Sequence, residues 1–139
     1  MVNIGYPQYI INKNYTVDAG YEKVDITLYY ADFFPEFTRL LFLIDAKGMV
    51  RNDVNETAYL PPDADEWTSA GLWEFGEELS GLLKVEALGR IPEDECQLEF
   101  QIHLTGTGPV LKKLNSVMGP DTFGDNQLKS DLKDLGLCE

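Results

Sequence analysis

Hydrophobic and polar positions alternate with a period of two along much of this chain, so it reads first as strands. Tyr9, Ile10 and Ile11 form a short apolar run ended by Asn12-Lys13-Asn14, and Val24, Ile26, Leu28 and Tyr30 then alternate with Asp25, Thr27 and Tyr29. Phe33, Phe34 and Phe37 surround Pro35, whose fixed φ and missing N–H favour a turn or a sheet edge. Leu40 to Ile44 are apolar without interruption, which suits a central strand, and Asp45-Ala46-Lys47-Gly48 supplies a turn into Met49-Val50-Arg51. The clearest alternation is Cys96, Leu98, Phe100, Ile102 and Leu104 against Gln97, Glu99, Gln101, His103 and Thr105, the pattern of an antiparallel strand with one solvated face. Leu83, Val85 and Ala87 provide its partner, joined through a turn at Ile91-Pro92-Glu93-Asp94.

Two stretches depart from this pattern. Between Asn52 and Gly81, Pro61-Pro62 and the polar Asp63-Ala64-Asp65-Glu66 precede Trp67, Leu72, Trp73 and Phe75 without a clean period. This segment reads as a long structured loop with short strands, and such loops are where binding surfaces concentrate. After Thr105 the period lengthens to about 3.6. Val110, Leu111, Leu114, Val117 and Met118 share one helical face before Gly119-Pro120, and a second helix follows Gly124 with Asp125 as N-cap, Leu128, Leu132 and Leu135 as a stripe, and Gly136 at the C-terminal cap. The expected fold is therefore mainly β: one domain over residues 1–139, an antiparallel sandwich or sheet of six to eight strands up to 108, and two short C-terminal α-helices over 109–136.

Charge changes this picture more than composition does. The 139 residues carry 11 Lys and Arg against 24 Asp and Glu, a formal charge of -13, which argues against direct binding of nucleic acid or an anionic membrane through a basic face. Residues 52–108 hold 13 of the acids and two of the bases, so a net -11 falls in the middle of the chain. The clusters are Asp63/Asp65/Glu66, Glu74/Glu77/Glu78 and Glu93/Asp94/Glu95. Self-repulsion among them is relieved where a cation or a basic surface meets them. Trp67 and Trp73 lie among these acids, and tryptophan is enriched among interface hot spots. The amino end lacks the basic run and apolar core of a secretory signal. Cys96 and Cys138 would join a strand to a terminal tail, a poor framework for a secreted domain, so reduced thiols in the cytoplasm are expected.

Catalytic chemistry has little support in the residues. His103, the only histidine, falls on a polar strand face opposite in parity to Cys96, and one His with two distant cysteines is a poor zinc set. Thr105-Gly106-Thr107-Gly108-Pro109, expected to lead from a strand into a helix, lacks the spacing of a phosphate-binding loop. The stretch Phe42-Leu43-Ile44-Asp45-Ala46-Lys47-Gly48-Met49-Val50, with Gly76-Glu77-Glu78, Leu83 to Leu88 and Ile91-Pro92, distantly resembles the tellurium-resistance TerD-like β-sandwich family. That family is calcium-binding, so the resemblance implies Ca²⁺ at carboxylates such as Asp45, Glu77 and Glu78. Phe37-Thr38-Arg39 and the pair of glutamates stand where the family has aspartates.

The expected function is that of a non-enzymatic acidic binding module: an accessory, inhibitor or assembly protein that engages a basic protein surface and needs no cofactor. Trp67 and Trp73 are the expected anchors, with Asp63, Asp65, Glu66, Glu74, Glu77 and Glu78 as steering charges, and the helices could serve a homo-oligomer. The alternative is a Ca²⁺-binding, TerD-like sandwich, and a third class is a small hydrolase.

Overall fold

Among the described residues, eight strands stack as two antiparallel sheets whose apolar faces meet. The computed structural model describes residues 6–19, 22–46, 54–77, 81–107 and 115–138. The strands are β1 (Gln8–Ala19), β2 (Glu22–Phe33), β3 (Thr38–Ala46), β4 (Val54–Leu60), β5 (Thr68–Glu77), β6 (Gly81–Arg90), β7 (Leu98–Thr107) and β8 (Asn115–Phe123), followed by one helix, α1 (Asn126–Asp134). The sheet orders are β1-β2-β3-β4 and β5-β6-β7-β8, two successive meanders. Each strand pairs antiparallel with the one before it inside its sheet.

The inward residues form one core. Val24, Ile26, Leu28, Leu40, Phe42 and Ile44 of the first sheet meet Leu83, Val85, Leu98, Phe100, Ile102 and Leu104 of the second, all buried. Burying a side chain of this kind stabilises by about 1.5–3 kcal/mol, and neither sheet could hide its apolar face alone. In β2 the inward parity switches from Leu28 to Ala31 because Tyr29 is an extra residue opposite β3, the effect of a β-bulge. The Leu40 to Ile44 run, expected to be covered on both faces, keeps Leu40, Phe42 and Ile44 fully buried and Leu41 and Leu43 half-exposed.

At one side of the sandwich β4 packs beside β5 and β6. At the other, β1 is tied to β8 and α1: the Tyr15 hydroxyl donates to Asp121, the Tyr9 hydroxyl donates to Asp131, and the Tyr9 ring meets Phe123 edge-on with centroids 5.6 Å apart. Burial and these carboxylates raise both phenol pKa values.

Three readings of the sequence are corrected. The first expected helix is not present where it can be checked: Val117 and Met118 belong to edge strand β8, which runs on through Gly119-Pro120, while residues 109–114 lie outside the described residues. Proline is tolerated there because an edge strand bulge needs no donor from it, and Gly119 takes φ +103° beside the Phe100 carbonyl. Thr105 to Thr107 end β7, and the next element among the described residues is the strand β8. The expected long loop from Asn52 to Gly81 contains two full strands, β4 and β5, joined by a connection of only residues 61–67. The turn at 47–51 lies outside the described residues.

The second expected helix is present. Asp125 accepts a hydrogen bond from the Leu128 N–H at 2.8 Å, Leu128 and Leu132 are fully buried, and Gly136 takes φ +76° past the helix end. Among the described residues no helix is long and apolar enough to cross a membrane.

The third correction concerns the thiols. Cys96 lies just before β7, at φ +49°, and is bonded to Cys138 with Cα atoms 5.6 Å apart. Reduced cysteines were expected because a lone bridge from a strand to a terminal tail is a poor framework for a secreted domain; here α1 folds back and brings the tail, 42 residues on from Cys96, to the β6–β7 turn. Chain-entropy arithmetic for a bridge of this span puts its contribution at roughly 4 kcal/mol. Because α1 is independently anchored by Leu128 and Leu132, a Cys138→Ser variant should keep its β-sheet circular dichroism while its urea midpoint falls accordingly. An unchanged midpoint would contradict a native bridge.

Candidate functional site

The strand directions bring several connections to one end of the sandwich. β1 begins there and β2 ends there; the alternation continues so that residues 34–37, 61–67, 91–97 and α1 with its tail all lie at that end. The 61–67 segment crosses from one sheet to the other and is fastened to the β6–β7 turn. The Ile91 N–H donates to the Ala64 carbonyl at 2.7 Å, and the Glu93 N–H donates to Asp65 Oδ1 at 2.9 Å. Ala64, Ile91 and Pro92 are buried beneath this seam.

A cleft of about 240 Å³ opens between the two loops and the C-terminal tail. Asp63, Asp65 and Glu93 line it, together with Ile91, Leu137 and Cys138. The tail wall is itself held by the Leu137 N–H donating to the Leu132 carbonyl at 2.9 Å and the Gly136 N–H donating to that of Lys133 at 3.0 Å. Asp63, Asp65, Glu66, Glu93, Asp94 and Glu95 are all exposed. Two clusters that are about 30 positions apart in sequence thus make one acidic surface, fixed by backbone hydrogen bonds and a covalent bridge.

Trp67 stands at the edge of this surface, half-buried. The Arg90 guanidinium lies over its ring, 4.8 Å from the centroid, and pairs with Glu99 at 2.8 Å. Cation–π contact and a nearly buried carboxylate together fix the indole. Desolvation would raise the Glu99 pKa, but hydrogen bonds from Arg90 and Gln97 outweigh it and lower the value. Hydrogen bonding with Glu99 and its charge raise that of Glu95.

The other expected site residues are placed elsewhere. Trp73 is opposite Val85 and turns inward: its ring lies 5.8 Å from that of Phe42 and directly on Gly71, where an added Cβ would meet the indole at 2.5 Å. It is packed against the core rather than presented with Trp67. Glu74 is exposed on the outer face of β5 and lies 3.7 Å from Lys84. Glu77 ends β5, about 30 Å from Trp67 at strand rise; its side chain and Glu78 lie outside the described residues. Glu74 is therefore not part of the Asp63/Asp65/Glu66 surface.

His103 sits in register with Glu86 and Val117 on the open face of the second sheet, half-buried. Among the described residues no three His, Cys, Asp or Glu side chains are grouped as a metal site. Asp45 stands opposite Asp25 in the sheet, and its buried Oδ1 has no hydrogen-bond partner among the described residues.

One feature at the same end escaped the sequence reading as a site. Tyr6, Phe34, Phe37 and Tyr59 form a continuous row of rings, with successive centroids 5.3, 4.9 and 5.3 Å apart. Tyr6 and Tyr59 are 49% and 50% exposed. The only sequence signal was the crowding of aromatics around Pro35; Tyr6 and Tyr59 join them through strand pairing. No protein-family model, curated protein or solved structure matches the chain.

The Arg90–Glu99 pair has a defined pH signature. A folded-state pKa below the ordinary carboxylate value stabilises above that range, and the contribution is lost as pH falls through the folded value. Acidification from neutral pH should therefore lower the melting temperature more steeply in the native chain than in Arg90→Gln. Parallel curves would show that the pair contributes nothing to stability.

Proposed function

We propose that this chain is a non-enzymatic acidic binding domain, an accessory, inhibitor or assembly protein that engages a basic protein surface through the end formed by residues 61–67 and 91–97. The observation that carries this reading is the convergence of two acidic loops on one disulfide-fixed cleft. Surfaces held in place before binding lose little conformational freedom on association, and clustered carboxylates speed encounter with a basic partner. Trp67, held by Arg90, is the aromatic anchor of that surface. The disulfide supports action in oxidising surroundings rather than in a reducing cytoplasm.

Affinity capture from the native cell at low and high salt tests the reading. Reversing Asp63, Glu66 and Asp94 to Lys should abolish salt-sensitive partner capture at unchanged fold, whereas Glu74→Lys on the distant part of β5 should retain it. Equal capture by both variants would contradict the assignment.

Calcium binding is kept as a second reading because of Asp45 Oδ1, a buried carboxylate oxygen with no hydrogen-bond partner among the described residues and another carboxylate across the strand pair. Carboxylates facing each other are destabilising in a sheet, and a hard cation would relieve them. Millimolar Ca²⁺ should then raise the melting temperature, an increase that Asp45→Asn removes; no shift in the native chain would end this reading.

A further inference from the structure

The row Tyr6–Phe34–Phe37–Tyr59 is a rigid ridge. The Phe34 N–H donates to the Phe37 carbonyl at 3.0 Å, closing the β2–β3 turn, and the Phe33 N–H donates to the Pro7 carbonyl at 2.9 Å, fixing the segment next to Tyr6 that leads into β1. Asp32, 4% exposed, accepts from Gln8 Nε2 at 2.7 Å and from Arg39 Nε at 2.9 Å. Arg39, so held, lies 5.4 Å above the Phe34 ring centroid. A buried carboxylate thus orders both ends of the turn from which the rings project.

The geometry narrows what fits. Adjacent rings are inclined at 70°, 42° and 71°, so they make ridges and notches rather than the side-by-side flat faces on which sugar rings stack. Aromatic-lined notches are how proline-rich segments in the polyproline II conformation are recognised. The neighbourhood is acidic. Tyr59 is four residues from Asp63, a chain distance of at most about 14 Å, and Glu36 in the turn is also exposed. Arg39 and Arg90, the arginines at this end, are already paired with Asp32 and Glu99.

We propose that Tyr6, Phe34, Phe37 and Tyr59 form the apolar half of a peptide-docking surface whose occupant is an extended, proline-rich segment bearing Lys or Arg. Its prolines sit between the rings, and its cationic side chains reach Asp63, Asp65 and Glu66. The inference rests on the acidic-surface reading for its charged half and on the ring geometry for the rest. It gives the partner a conformation as well as a charge.

The test uses the oxidised full chain and synthetic peptides of about nine residues, long enough to span both halves in polyproline II geometry. An Arg-Pro-Pro repeat should bind by calorimetry and shift the NMR resonances of the four rings, with affinity falling as salt rises. Tyr6→Ser and Tyr59→Ser, both at exposed positions, should each weaken it by roughly tenfold, and Tyr59→Phe should restore most of the loss. A Glu-Pro-Pro repeat should not bind. If an Arg-Gly-Ser repeat binds as tightly and neither tyrosine variant matters, the ring inference is overturned while the acidic surface stands. If neither cationic peptide binds, the inference is overturned, while the acidic-surface reading stands or falls separately with salt-sensitive partner capture. Binding of cellohexaose that depends on Tyr59, with no peptide binding, would overturn the inference in favour of a carbohydrate.

Discussion

Everything at the candidate site follows from the requirement that two one-sided sheets cover each other. Each meander presents a continuous apolar face built by period-two alternation, and that face is stable only when stacked on the other. Stacking leaves the strand connections at the two ends. Among the described residues the crossing between sheets is made by residues 61–67, which meet the β6–β7 turn because β5 and β6 are adjacent. The core thus decides that two acidic loops, the aromatic β2–β3 turn and the C-terminal tail share one end. The hydrogen bonds at Ala64–Ile91 and Asp65–Glu93 and the Cys96–Cys138 bridge then convert proximity into a fixed surface.

The same constraint explains the edges. Four of the eight strands border a sheet, and exposed edges invite further pairing. β1 is broken near Asn12 at φ +51°, β5 at Ala70 and β8 at Gly119-Pro120, so three of those borders carry irregularities. The tyrosine–aspartate bonds from Tyr9 and Tyr15 tie the β1 side to β8 and α1 across the gap between sheets. Both features work against the addition of a further strand at these borders.

Much of the β architecture was legible in the sequence wherever alternation was undisturbed, as in β6, β7 and the first part of β2, and α1 was legible through Asp125 and its leucine stripe. The misreadings have physical causes. β5 holds a bulge at Ala70 and glycines at 71 and 76, which break the alternation that Trp73 and Phe75 would otherwise have shown. β4 reads Val-Asn-Glu-Thr-Ala-Tyr-Leu, too polar to announce a strand although Ala58 and Leu60 are fully buried. β8 was hidden because Val117 and Met118 continue a helix-like spacing from Val110, Leu111 and Leu114, and short apolar runs do not distinguish the two periods. The acidic clusters were visible as composition, but which of them meet was not. Glu66 and Glu74 are close in sequence and far apart along β5, while Asp65 and Glu93 are far apart in sequence and share a hydrogen bond.

If residues 61–67 and 91–97 act as one binding surface, amide hydrogen exchange on the oxidised chain, free and in complex with its captured partner, should show both segments gaining protection together, with the far part of β5 around Glu74 unchanged. Protection confined to Glu74 and the outer faces of the sheets, with both loops unaffected, would contradict that reading.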